Sequence, residues 1–458
     1  MSKQQKNELS RSIYFVSLVV FGIIFFFLIG QQGPIVTDDS KTYLSFSPGV
    51  SVIYLLYPRF LQFFSIIFGE QYFLYAVYMV QGLLAIIVSV VLTEFFRKEY
   101  NLNYILAFLV FVLSVLPYGY SLPESVVTHH ILTEGVTFPI FTLFMLVSIK
   151  LFLYEKKRYL CEGLLLSVML VMLRSQLLVL LLIFLLLSVF FGIKVFYNKV
   201  PAEKKMKFLA FNIMAGLLIV VLATGLFYKV LLTGELSQFS DAITGKVLCL
   251  IEYEDRELFE GETQEVFDAL YKNVSDKGNL IDLNEKQRAN NIAESINENT
   301  KDWVVVISDY YSEKYSDLQQ TDKMYKYRMR NAVVWDLFEE HFADYLTLTM
   351  KLLPHSFVAS IFIQPDAVYE LCHVIAAVIY LLAIAFMVYA IKKECELKYL
   401  KPLMITLFVI LFNVVITNVF FYGQQRYVVY PFGIFYISVF IEVIGICRKL
   451  QKQKTTSI

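Results

Sequence analysis

The sequence predicts an all-α integral membrane protein of about ten transmembrane helices. Interfacial helices are expected in a first outer loop, with one large, mainly helical outer segment. Three observations carry this reading. First, the 458 residues are 57% hydrophobic and 17% charged, against about 45–50% apolar and about 25% charged in a soluble domain. Second, apolar runs near the roughly 20 residues that cross about 30 Å of hydrocarbon recur along most of the chain. Third, lysine and arginine gather in alternate connecting segments, the asymmetry that orients membrane helices.

Composition also excludes several classes. The 41 Phe and 31 Tyr rule out intrinsic disorder, which lacks aromatic and aliphatic side chains. The length rules out a small disulfide scaffold. Lys plus Arg and Asp plus Glu are both 40, so no net positive field points to a nucleic acid partner. Cys161, Cys249, Cys372, Cys395 and Cys447 show no CxxC or Cys/His metal spacing.

The spans are expected near 12–30, 71–93, 103–117, 131–153, 160–174, 175–193, 208–232, 369–391, 402–421 and 428–447. The first follows MSKQQKNELSR, lacks a small-x-small cleavage site and ends in GQQGP, so it reads as a retained span. As one helix, the run 160–193 would be about 51 Å long, too long for a single crossing. Both of its flanks, Lys156-Lys157-Arg158 and Lys194 to Lys207, are basic, so it must turn once, at Arg174-Ser175. Ten spans put both termini in the cytoplasm. The segments on that side carry Arg97, Lys98, Lys392, Lys393, Lys398, Lys401, Arg448 and Lys449 among others, while the short outer loops carry only Lys41, Arg59 and Arg426.

The chain then divides into 1–233, a membrane module that includes the first outer loop (31–70); 234–368, an extracytoplasmic mainly helical segment; and 369–458, a second membrane module. In 31–70, Pro48, Pro58 and Arg59 break the apolar pattern and argue for interfacial helices. The segment 234–368 holds 25 of the 40 acidic residues and reads as amphipathic helices on a solvated surface. Lys351, Pro354 and His355 make its last apolar stretch an interfacial helix and not a span.

Ionisable groups are costly beside hydrocarbon, so their placement is informative. Asp38, Asp39, Glu124, His129, His130, Glu134, Arg174 and Arg426 all fall at the outer ends of spans. Asp38-Asp39 could supply a base for a hydroxyl or ligands for a divalent cation; alternatively Asp39 caps a helix beginning near Ser40. Glu134 lies one turn inside an apolar run, where it either faces a polar cavity or answers the helix dipole. Arg174 and Arg426 cannot lose their protons. Each either snorkels to lipid phosphate or grips a substrate phosphate in two contacts. The chain has no Walker A sequence, no GxGxxG and no HExxH, so no nucleotide site is expected.

These pieces together resemble the polytopic GT-C-type glycosyltransferases, which include protein mannosyltransferases and the aminoarabinose transferase of lipid A. The matching stretches are TDDSKTY, LTEGVTFPIF, LRSQLLVLLLIF, DLFEEHFADYLTLTMKLL and QQRYVVYPFGIFYISV, spread over nearly the whole chain. The resemblance implies a polyprenyl-phosphate-linked sugar as donor and a cell-envelope glycan, lipid or protein as acceptor. It also implies an acid of the first outer loop, here Asp38 or Asp39, as base or metal-binding residue, with a divalent cation as the only cofactor in question. The catalytic set is then Asp38, Asp39 and Glu134, and the substrate-binding set Tyr43, His129, His130, Arg174, Gln425 and Arg426. The large outer segment precedes the eighth span, whereas many members of the family carry a distinct C-terminal domain. Two other readings use the same layout: a lipid-linked oligosaccharide flippase, and an envelope polysaccharide polymerase. Glu442, near the inner end of the last span, departs from the one-sided placement of charge.

Overall fold

Long apolar runs with few interior charges have one way to satisfy their backbone in hydrocarbon, the helix. The described residues take it in every long element. The computed structural model describes residues 3–29, 33–45, 56–120, 126–174, 177–197, 238–315, 323–362, 368–420 and 425–456. Among them there is no strand, only an isolated parallel bridge between Ile35 and His130. The chain forms two compact units. The first comprises Met1–Gly216, Ser360–Asn413 and Val428–Ile458; the second comprises Leu217–Ala359 and Val414–Tyr427.

The first unit begins with α1 (Lys3–Ile23), continued by a π turn over Ile24–Leu28. Then follow α2 (Asp38–Leu44), α3 (Leu56–Glu99), α4 (Tyr104–Tyr120), α5 (Glu134–Tyr154), α6 (Lys157–Leu173) and α7 (Leu178–Tyr197). Among the described residues, five helices are long and apolar enough to cross a membrane: Glu8–Leu28, Leu56–Glu99, Glu134–Tyr154, Tyr369–Lys392 and Leu397–Phe420. Tyr104–Gly119 and Leu178–Phe190 are shorter apolar helices. The expected span 208–232 lies outside the described residues.

One expected boundary differs, that of α2. In α3 the break comes just ahead of the expected span 71–93. Pro58 sits in the first turn of α3, where its missing N–H costs nothing, and the break falls at Gly69, whose positive φ of 70° is open to glycine. The cap of α2 is Thr37, and the helix starts at Asp38, two residues before Ser40. In 160–193 the chain does break at Arg174, the C-cap of α6, and Gly163 lies against the Phe184 ring of α7.

The second unit contains α8 (Gln238–Leu248), α9 (Glu262–Asp276), α10 (Ala289–Lys314), α11 (Lys323–Glu340) and most of α12 (Phe342–Ile361). Their apolar faces close on Val266, Phe267, Leu270, Ile296, Trp303, Val333 and Leu337. Arg330 is buried among them. It donates to Asp241 at 2.6 Å and stacks 4.6 Å from the Trp303 ring, which replaces the water it has lost. Pro354 and Lys351 do not stop α12; Lys351 donates to the carbonyls of Leu283 and Glu285.

The chain then continues through α13 (Tyr369–Lys392), α14 (Leu397–Phe420), the single turn α15 (Gln425–Val428) and α16 (Phe432–Thr456). On α13, Leu371, Val374, Val378, Leu381 and Val388 are exposed. Such a face is a liability in water and the ordinary surface of a helix in lipid. Hydrogen bonds tie four helix ends of the first unit together. Arg448 of α16 donates to Tyr100 O at 2.6 Å, and Tyr100 Oη donates to Lys398 O at 2.9 Å. Lys401 donates to Phe152 O at 2.7 Å, and Tyr154 of α5 donates to Glu99. The tied ends of α3, α5, α14 and α16 therefore share one end of this unit, which also carries Arg97, Lys98, Lys398, Lys401 and Arg448.

Candidate functional site

At the other end of α5 the segment 33–45 folds onto the residues just before the helix. Ile35 N donates to His129 O at 2.8 Å, and Ile131 N donates to Ile35 O at 2.9 Å. This two-bond clamp fixes where α2 begins. Thr37 and Ser40 then form a reciprocal cap: Thr37 N donates to Ser40 Oγ at 2.9 Å, and Ser40 N to Thr37 Oγ1 at 3.4 Å. Asp38 and Asp39 fall in the first turn, where the helix dipole favours carboxylates.

The two acids face different surroundings. Asp38 accepts from Lys41 at 2.8 Å, and that pair is 95% and 70% exposed, so it contributes little to stability. Asp39, also exposed, lies one turn before Tyr43, and its charge acts on the Tyr43 hydroxyl. Burial first, then the Glu134 and Asp39 charges, hold that phenol above its ordinary pKa; Arg174 and a hydrogen bond with Thr133 oppose them. Tyr43 therefore reaches the start of α5.

Glu134 and Arg174 meet there in an ion pair, with Glu134 3% and Arg174 11% exposed. Thr133 Oγ1 donates to the other Glu134 oxygen at 3.0 Å. Arg174 is extended at the C-cap of α6 (φ −148°), and this break in the long apolar run lets its guanidinium reach α5. His130 is buried beside them. Burial lowers its pKa, against the pull of Glu134, so the imidazole is neutral at pH 7.

Beneath the pair lies an amide network. Tyr57 Oη donates to Gln81 Oε1 at 2.9 Å, and Gln81 Nε2 donates to Thr128 O at 2.9 Å and His130 O at 3.1 Å. Tyr43 meets Tyr57 edge to face with ring centroids 5.4 Å apart. A Cβ on Gly135 would come within 2.5 Å of the Gln81 amide carbon, so only glycine admits this approach. Sequence reasoning missed Tyr57, Gln81 and Thr133. The signal for Gln81 was present: an amide in the middle of YMVQGLLAII.

Of the expected site residues, Tyr43, His130, Glu134 and Arg174 come together, with Asp39 one turn before Tyr43 and Asp38 on the solvent-exposed side of α2. His129 does a different task. It is fully buried, its Nε2 donates to Phe26 O at 2.8 Å in the π turn of the first span, and its ring packs on Tyr78. Gln425 and Arg426 lie in α15. In the second unit, Arg426 donates to Tyr427 Oη at 3.0 Å and stacks 5.0 Å from its ring. Glu124 lies outside the described residues.

No protein-family model, curated protein or solved structure matches the chain. The site must be read from its own groups. For a divalent cation, Asp38 and Asp39 are a poor fit. Among the described residues no third His, Cys, Asp or Glu converges with them, and Asp38 already holds an ammonium. Hard cations take six or more oxygens. What the site offers is a carboxylate at the surface, a phenol, and a guanidinium paired with a buried carboxylate.

Proposed function

We propose that the protein is a membrane glycosyltransferase. It moves a sugar from a polyprenyl-phosphate donor to a cell-envelope glycan, lipid or protein on the extracytoplasmic face. The proposal includes ten spans with both termini cytoplasmic. The observation that carries the reading is the buried Glu134–Arg174 pair with Tyr43 reaching it, at the end of α5 away from the cationic helix ends. Burying such a pair costs more in desolvation than its attraction returns, so fold stability is a poor reason to place it there. A lipid-borne phosphate cannot leave the membrane, so an enzyme that uses it must hold fixed positive charge at headgroup depth.

In the proposed reaction the acceptor hydroxyl oxygen attacks C1 of the sugar. The bond from C1 to the phosphate oxygen breaks, and polyprenyl phosphate leaves with the electron pair. The proton passes to Asp39, the acid whose field reaches Tyr43. Arg174 stabilises charge on the leaving phosphate, Glu134 holds Arg174 and is itself held by Thr133, and one displacement inverts C1. Asp39→Asn is expected to abolish consumption of polyprenyl-phosphate monosaccharides by the purified protein, read by mass spectrometry, with membrane abundance unchanged. Asp38→Asn should retain it. Full activity in both variants and in the double variant would sink the mechanism.

Glu442 favours a second reading, transport of a lipid-linked oligosaccharide. Its side chain is fully buried in α16, and neither oxygen has a hydrogen-bond partner among the described residues. Intramembrane acids of this kind mark transport pathways. Flux into liposomes with no new glycosidic bond would decide for transport.

A further inference from the structure

In the first unit, one face of α16 packs into a seam with α13 and α14. Phe435 meets the Tyr380 ring of α13 with centroids 5.4 Å apart. The Ser438 hydroxyl lies 3.2 Å from that of Thr406 on α14. Further along, Gly445 lies against the Tyr399 ring, and Ile446 packs with Ala390 and Leu400. Glu442 stands four residues from Ser438 and four from Ile446, so it faces the same seam. Its charge reaches the Cys395 thiol, in the turn that joins α13 to α14. The side chain is fully buried, and neither oxygen has a hydrogen-bond partner among the described residues. The nearby cations are engaged elsewhere. Lys401 of α14 donates to Phe152 O, and Lys398 pairs with Glu396. On α16 itself, Arg448 donates to Tyr100 O and Lys449 to Glu394 O. The buried side of α13 offers Ala376, Ala383 and Ala390. Helix α4, which meets α16 where Leu113 O approaches Gly433, carries no acid and no cation.

We propose that Glu442 is a proton-binding site: its carboxyl holds a proton while the seam is closed and gives it up when water enters between α13, α14 and α16. Burying an unpaired carboxylate costs far more than burying the neutral acid, and no cation shares the seam to offset the difference. A metal cation fits the same position poorly. Thr406 spends its hydroxyl hydrogen on Pro402 O at 2.8 Å, so Ser438 donates its own to Thr406. The two nearest hydroxyls are turned to each other, and among the described residues no second acid, histidine or cysteine converges to complete a ligand set. Hard cations need several oxygens; a proton needs one. Acids buried in this way relay protons in pumps and transporters. The proposal deepens the transport reading by naming the proton as the ion exchanged with the lipid-linked substrate, and it rests on that reading for the role of the site, whereas the site itself rests on the seam.

The test treats the full-length protein in membranes with dicyclohexylcarbodiimide, an apolar reagent. The O–H of a protonated carboxyl adds across one C=N bond of the reagent, its proton passing to nitrogen, and the O-acylisourea rearranges to a stable N-acylurea that keeps every atom of both partners. Peptide mass spectrometry locates the adduct. Glu442 should be labelled at pH 6, and the labelling rate should fall about tenfold per pH unit once the carboxyl ionises. A cationic, water-soluble carbodiimide should leave it unmodified. Glu442→Gln should lose the adduct; if that variant does not fold, mapping in the parent protein decides. Glu442 unlabelled at pH 6, or labelled equally from pH 6 to pH 9, overturns the proposal. Protection of Glu442 by sodium at fixed pH overturns the proton in favour of a metal cation. The labelling contains no lipid-linked substrate, so it is independent of the role. Flux into liposomes that responds to a pH gradient and is lost in Glu442→Gln supports the role, and flux unchanged in that variant overturns it.

Discussion

Replacing Arg174 with Met removes the cation that faces the Glu134 carboxylate, which is 3% exposed and accepts from Thr133. Breaking a buried pair from one side costs about 3–5 kcal/mol. At about 2 °C per kcal/mol for a domain of two hundred residues or more, the apparent melting temperature should fall by roughly 5–10 °C. Glu134→Leu alone strands the guanidinium and should cost a similar amount. The double variant, Glu134→Leu with Arg174→Met, exchanges the pair for side chains that need no partner. Such exchanges are neutral or stabilising by about 1–4 kcal/mol, so its melting temperature should return to the parent value or exceed it. Activity should not follow. If Arg174 carries charge for a leaving phosphate, single and double variants alike lose sugar transfer. The assay is thermal unfolding of the purified protein in detergent beside consumption of the lipid-phosphate sugar. A stable, active double variant would show the pair to be a structural tie and remove its role in catalysis. Single variants as stable as the parent would show that the pair is not desolvated, and the physical argument would fail at its first step.

Two further perturbations test other parts of the molecule. Gly135→Ala drives a methyl into the Gln81 amide and should free Gln81 from Thr128 and His130; a cost of about 1–3 kcal/mol, seen as a lower melting temperature, should accompany reduced transfer. In the second unit, burial pushes the Lys246 ammonium down to about 7, while the unfolded chain holds that proton up to about 10.4. Between those values the unfolded state binds more protons, so stability rises with pH. Lys246→Met should raise stability near neutral pH by up to about 4 kcal/mol and flatten the slope between pH 7 and 9 in paired melts of the full-length protein.

The parts legible in the sequence were those set by composition and by costly residues. Apolar runs gave helices because hydrocarbon leaves the backbone no other partner, and Arg174 marked a break because a guanidinium cannot sit inside a continuous apolar helix unpaired. The clustering of basic helix ends was legible from charge asymmetry. Pro58 sits where proline is tolerated, in the first turn of a helix; the break at Gly69 needed a backbone angle that composition does not display. Asp38 and Asp39 are equivalent in the sequence. Only the Thr37–Ser40 cap, by fixing the helical phase, sends one towards Lys41 and brings the other within reach of Tyr43. His129 looked like a ligand because a histidine pair is conspicuous, yet its partner is the Phe26 carbonyl, a backbone group exposed by a π turn.

That last case bears on how the candidate site is built. His129 ties the π turn after α1 to the segment before α5, Ile35 clamps the stretch ahead of α2 to the same segment, and Gln81 reaches it from α3. Three elements distant in sequence thus converge on residues 128–131, and Thr133 and Glu134 follow within one turn. A loop with many backbone anchors holds its neighbours to fixed positions, which is what electrostatic stabilisation of a leaving group requires. The same anchoring would serve a merely structural tie equally well. What separates the two is the charge: Gln81, Ile35 and the hydrogen bond from His129 to a backbone carbonyl already fix this end of the bundle, so the fold has no evident need of an ion pair there. Glu134 and Arg174 add a desolvation cost to a junction already secured, and the activity of the apolar double variant measures what that cost supports.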